Sequence, residues 1–138
     1  MSEKWWKITK EIDMKKILTI FLLSFSINGY CEWTVVDLDK DGNGYMDFST
    51  IKRSSTSVRV WELLDFKNTQ SLGSIYYNSI VSFREYDCSQ DRVRGLSSTY
   101  FSNTMGSGNP MKQLNQPSDW MYVLPKTVGA KKLNILCK

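Results

Sequence analysis

The chain has 138 residues, with 18 Lys and Arg against 14 Asp and Glu, a formal net charge of +4 and no histidine. The missing histidines exclude His-based general-base triads and most zinc sites. Three cysteines and a 13% aromatic content in a chain of this length leave room for one compact core rather than two.

The first recognisable feature is MKKILTIFLLSFSINGYC, residues 14–31: two lysines, an apolar run, then small and polar residues. This is the three-part form of a secretory signal peptide. The run is about half the roughly 20 apolar residues that a bilayer requires, which argues against a stable membrane span. The preceding MSEKWWKITKEID carries charge of both signs and no apolar face, so Met14 is the expected true start. Cleavage after Cys31 places Gly29 and Cys31 at the small-residue positions of the site. A lipid anchor on Cys31 needs a small residue before it and finds Tyr30. Residues 1–31 are therefore a presequence, and 32–138 form a single domain.

That domain carries 13 Lys and Arg against 11 Asp and Glu, a net charge of +2. It contains no basic cluster longer than a pair, so no nucleic-acid partner is expected. Two cysteines remain, Cys88 and Cys137, and an even count in an oxidising compartment reads as one disulfide.

Residues 32–38, EWTVVDL, are β-branched and aromatic and form a first strand. DLDKDGNGYMDFST follows and matches the D-x-[DN]-x-[DN]-G opening of a calcium loop. Asp39, Asp41, Asn43 and Asp47 fall at ligand positions and Gly44 at the sharp turn. The closing position, which needs a bidentate Glu, holds Thr50. The seven residues before Asp39 are too few for an entering helix, and SSTS at 54–57 opposes a leaving one. The segment is better read as a hairpin turn at residues 41–44, with Asp-Gly and Asn-Gly supplying positive φ. A weak calcium site on Asp39, Asp41, Asn43 and Asp47 is the most it offers.

Residues 58–65 form a strand with Val58, Val60 and Glu62 on one side and Arg59, Trp61 and Leu63 on the other. Residues 66–73 are a polar connection ending in Gly73, residues 75–88 a long bent strand, 87–91 a turn and 92–102 another strand. Residues 103–118 are a loop rich in Gly, Pro, Asn and Ser, and 120–125 a short extended piece. Thr127 caps a helix whose Ala130, Leu133, Leu136 and Cys137 share one stripe. A bridge between Cys88 and Cys137 would pin that helix to the sheet. The class is α+β, mainly β: an antiparallel meander of about five to six strands with a C-terminal helix.

The succession Tyr45-Met46-Asp47, Ser49-Thr50-Ile51-Lys52-Arg53, Val58-Arg59-Val60-Trp61, Tyr86-Asp87-Cys88, Arg92-Val93-Arg94, Trp120, Pro125 and Cys137 resembles the surface-adhesin protein E-like family of exported proteobacterial proteins. The resemblance implies a small antiparallel β domain with a C-terminal helix and a disulfide between Cys88 and Cys137. It also implies a module that binds extracellular-matrix or other macromolecules, in the periplasm or at the outer surface. With no histidine and both remaining cysteines assigned to a bridge, no catalysis and no cofactor are expected. A periplasmic or envelope-associated structural role is the alternative, and a calcium-dependent module the third reading.

Glu62, Asp65, Glu85 and Asp87 are expected as solvated strand-edge charges, since their spacing places no two across a cleft. Tyr, Trp and Arg dominate binding hot spots. Arg59, Arg84, Tyr100, Phe101 and Trp120 are accordingly the candidate partner-binding residues, with the loop 103–118 as the first candidate for ligand contact.

Overall fold

The structure, a computed structural model, describes residues 32–138. The expected signal peptide, the start at Met14 and the site at Cys31 lie outside the described residues. Strands β1 (Thr34–Leu38), β2 (Gly42–Arg53), β3 (Ser57–Leu72), β4 (Ile75–Asp87), β5 (Arg92–Phe101), β6 (Pro110–Leu114) and β7 (Met121–Tyr122) precede one helix, α1 (Val128–Leu136). All pairings are antiparallel. The order β1-β2-β3-β4-β5-β6 makes a meander, and β7 also pairs with β5. The far end of β5 takes β6 and its near end, at Arg92 and Val93, takes β7.

Helix α1 covers one side of this sheet. Thr127 is its N-cap and accepts a hydrogen bond from the Ala130 amide, as the sequence indicates. Leu133 and Leu136 pack on Val36, Met46, Val58, Val60, Tyr86 and Val93. Two covalent and polar fasteners hold the helix end. A disulfide joins Cys88 to Cys137, 49 residues on, and Arg53 Nη1 donates to the Leu136 carbonyl at 2.5 Å.

Three local readings change. The β1–β2 turn lies at 39–41, earlier in the chain than the expected 41–44, and Gly42, Asn43 and Gly44 already belong to β2. Among the described residues the positive-φ glycines are Gly73, Gly106 and Gly108. Gly42 is required for a different reason: a Cβ there would sit 2.7 Å from the Asp65 carbonyl oxygen of β3. Residues 66–72, expected as a connection, continue β3 beyond a register shift between Asp65 and Gln70, so the turn falls at Gly73. The loop 103–118 contains β6, whose apolar Met111 and Leu114 are spaced too widely among polar residues to announce a strand.

Candidate functional site

The helix-free side of the sheet is built by cross-strand register. Asp47, Trp61, Phe83 and Ser97 oppose one another across β2, β3, β4 and β5, and Arg59, Glu85 and Arg94 form the next row. Trp61 and Phe83 stack with ring centroids 5.0 Å apart, and Trp61 is 37% exposed. The shared face follows from the period of two in each strand.

A row of arginines flanks the stack. Glu85 lies buried beneath it, with Oε1 accepting from Arg59 Nε at 2.9 Å and Oε2 from Arg94 Nε at 2.8 Å and Nη2 at 2.6 Å. Arg92 Nε donates to Asp87 at 2.9 Å. The guanidinium carbons of Arg92 and Arg94 sit 4.7 and 4.4 Å from the Trp120 ring centroid, so the indole is clasped by two cations. Glu62, Glu85 and Asp87 are buried and ion-paired rather than solvated as expected. The row alternates in charge, yet the carboxylates lie below and the guanidinium groups above. The Arg59 side chain is 48% exposed and that of Glu85 5%, so the presented surface is cationic.

These pairings tune the acids. Burial pushes Glu85 up, but the hydrogen bonds and charges of Arg59 and Arg94 outweigh it and hold the carboxyl below its ordinary value. The Ser89 hydroxyl, followed by Arg92 and the Ser89 amide, does the same for Asp87 against a smaller effect of burial. On the opposite side, burial and the adjacent Glu62 raise the Tyr86 phenol far above its usual range, so it keeps its proton and donates to Glu62.

The segment 103–109 covers one end of the helix-free face. Ser79 Oγ donates to the Asn103 carbonyl at 2.6 Å, and the Gly106 amide donates back to Ser79 Oγ at 2.9 Å. Gly106 has φ +67°, and a Cβ there would meet Val81 at 2.8 Å. The candidate contact loop is thus tied down on its inner side, leaving Met105 exposed.

The five sequence candidates do not form one site. Arg59 and Trp120 join the aromatic and cationic row, and Phe101 pairs with Ser79 near the loop. Arg84 and Tyr100 face the helix side, in register with Val60 and Ile80 respectively. Phe83, Arg92, Arg94 and Glu85 were missed as site residues. The alternating Arg92-Val93-Arg94 carries the signal, but only the register with Glu85 and Asp87 gives it meaning.

The calcium candidates are also dispersed. Asp39 and Asp41 occupy the turn, while Asp47 lies four residues beyond Asn43 along β2, about 13 Å away at the strand rise. Asp47 Oδ1 accepts from the Ser49 amide and hydroxyl, and Thr50 Oγ1 donates to the Asp47 carbonyl while accepting from the Trp61 amide at 3.1 Å. Asp47 and Thr50, which fall at calcium-loop positions, instead stabilise the irregular stretch of β2 where its register shifts between Asp47 and Lys52. No group of three or more His, Cys, Asp or Glu suited to a metal ion occurs among the described residues. No helix among them is long and apolar enough to cross a membrane.

The family model described as surface-adhesin protein E matches residues 33–138. Solved structures of Haemophilus influenzae protein E share the fold. One matches with 13% identity and a TM-score of 0.56, covering 74% of this chain and 87% of that one. A second, from non-typeable Haemophilus influenzae, matches with 14% identity and a TM-score of 0.55, covering 75% of this chain and 74% of that one. No curated protein matches the sequence.

Proposed function

The chain belongs to the surface-adhesin protein E family, and from that premise we propose that it is an exported module binding an extracellular-matrix or envelope protein through the helix-free face. The observation that carries this reading is the exposed Trp61 and Phe83 stack bordered by Arg59, Arg94 and Trp120. Aromatic rings held rigid on interior strands lose little conformational freedom on binding, and arginines already oriented by buried carboxylates lose less than free ones. The partner surface that suits them is apolar at its centre and acidic at its rim. The two carboxylates beside the stack, Glu85 and Asp87, are engaged by arginine, and the role assigned to this face is recognition.

The test is to immobilise the oxidised domain and probe it with matrix proteins and with envelope extract. Retention of a matrix protein supports an adhesin, and retention of envelope components alone supports the envelope-associated alternative. A folded domain that retains nothing from either source contradicts the binding reading. Protease added to intact cells tests surface exposure independently: protection places the domain in the periplasm.

A further inference from the structure

The helix side of the sheet carries a second exposed feature, separate from the face assigned to a macromolecular partner. Helix α1 covers the half that holds Val58, Val60, Tyr86 and Val93. Beyond it, Leu64, Ile80 and Tyr100 lie in register across β3, β4 and β5. Tyr77 meets Phe66 and Tyr100 edge-on, with centroids 5.7 and 4.9 Å apart, extending the apolar strip. Leu64 is 42% exposed. Where strip and helix meet, a cleft of about 70 Å³ opens between Glu62, Leu64, Ile80, Ser82, Arg84 and Lys132.

The charges of this cleft do not cancel. Glu62 is buried. It accepts from the Tyr86 hydroxyl on Oε1 and from Lys132 Nζ at 2.6 Å on Oε2, so one cation already neutralises it. Arg84 Nε stands 3.8 Å from the same carboxylate, and the Arg84 side chain is 40% exposed. Among the described residues no other carboxylate pairs with it. The cleft thus holds one surplus cation beside an apolar strip.

We propose that this cleft and strip bind a free single-chain carboxylate, an aliphatic acid whose head pairs with Arg84 and whose chain lies over Leu64, Ile80 and Tyr100. From Arg84 to Ile80 is four residues of strand, about 13 Å, over which Ser82 is the intervening residue on this side. Strands β3, β4 and β5 are interior and bonded on both sides. Their main chain has no donors or acceptors to offer a peptide, whereas an acyl chain requires none. A single surplus charge matches a monoanion.

The experiment is calorimetric titration of the oxidised domain with dodecanoate below its micellar concentration, beside dodecyl maltoside and phosphatidylglycerol vesicles. Dodecanoate is expected to bind more tightly than the neutral amphiphile of equal chain. Arg84→Gln should weaken dodecanoate by about tenfold and leave dodecyl maltoside within about twofold, as loss of one charge-assisted bond requires. Leu64→Ser, at an exposed position, should weaken both. Equal affinity for the two amphiphiles, an unchanged Arg84→Gln variant, or binding to the vesicles without binding to dodecanoate would overturn the proposal.

Discussion

Glu85 shows how single residues set the chemistry of the helix-free face. Its carboxylate is buried under two guanidinium groups that it orients toward solvent. Because Glu85 and Asp87 are held below their ordinary values of 4.5 and 3.8, their contribution to stability is complete above those values. It is lost as pH falls through the lower folded ones. The melting temperature should therefore be flat from about pH 7 to about pH 5 and drop in more acid solution. Glu85→Gln should melt lower at neutral pH and show a shallower acid decline, followed by circular dichroism. An acid slope identical to that of the wild type would contradict the assignment. The pairing was hidden in the sequence, where Glu85, Arg59 and Arg94 stand 26 and 9 residues apart with no local sign that they meet.

At the scale of elements, alternation was the readable signal. It placed β4, the first part of β3, the start of β5 and the capped helix, because each has one buried face that imposes a period of two or 3.6 on its residues. It failed where pairing, not burial, makes the strand. Residues 67–69 of β3 and most of β6 are exposed on both sides, so their sequences carry no pattern and their strands exist through neighbours. The turn after β1 failed differently. Asp41-Gly42-Asn43-Gly44 looks like a positive-φ turn, yet Gly42 is there because the β3 backbone passes too close for a side chain. Gly42→Ala should accordingly destabilise the domain by about 1–3 kcal/mol, the cost of overpacking against rigid backbone. Chemical denaturation is the check, and a variant within about 0.5 kcal/mol of wild type would show that β2 and β3 separate easily at this point.

For the molecule as a whole, one sheet presents two unlike surfaces. The helix side is stapled by a disulfide, and closing a loop of about 50 residues is worth roughly 4 kcal/mol through the unfolded chain. Cys88→Ser should therefore lower stability by a few kcal/mol and release α1 first, which amide exchange in residues 128–136 would report. Unchanged protection there would mean that Leu133, Leu136 and Lys132 suffice to hold the helix. Among the described residues no helix covers the opposite side, and its exposed aromatic stack is where a partner is expected to dock. The candidate residues were legible one by one, since Trp, Tyr and Arg are recognisable binding types. Their partition between two faces was not, because it depends on register shifts such as that between Phe83 and Arg84. The most direct measurement is the affinity of the oxidised domain for whichever matrix or envelope protein it retains, compared between wild type, Trp61→Ala and Tyr76→Ala. Tyr76 is more solvent-facing still but lies at the far β3–β4 tip. Trp61→Ala should weaken binding by about 2 kcal/mol, roughly thirtyfold, and Tyr76→Ala should leave it within about twofold. Equal affinity for Trp61→Ala and wild type would contradict the assignment of the helix-free face as the binding surface.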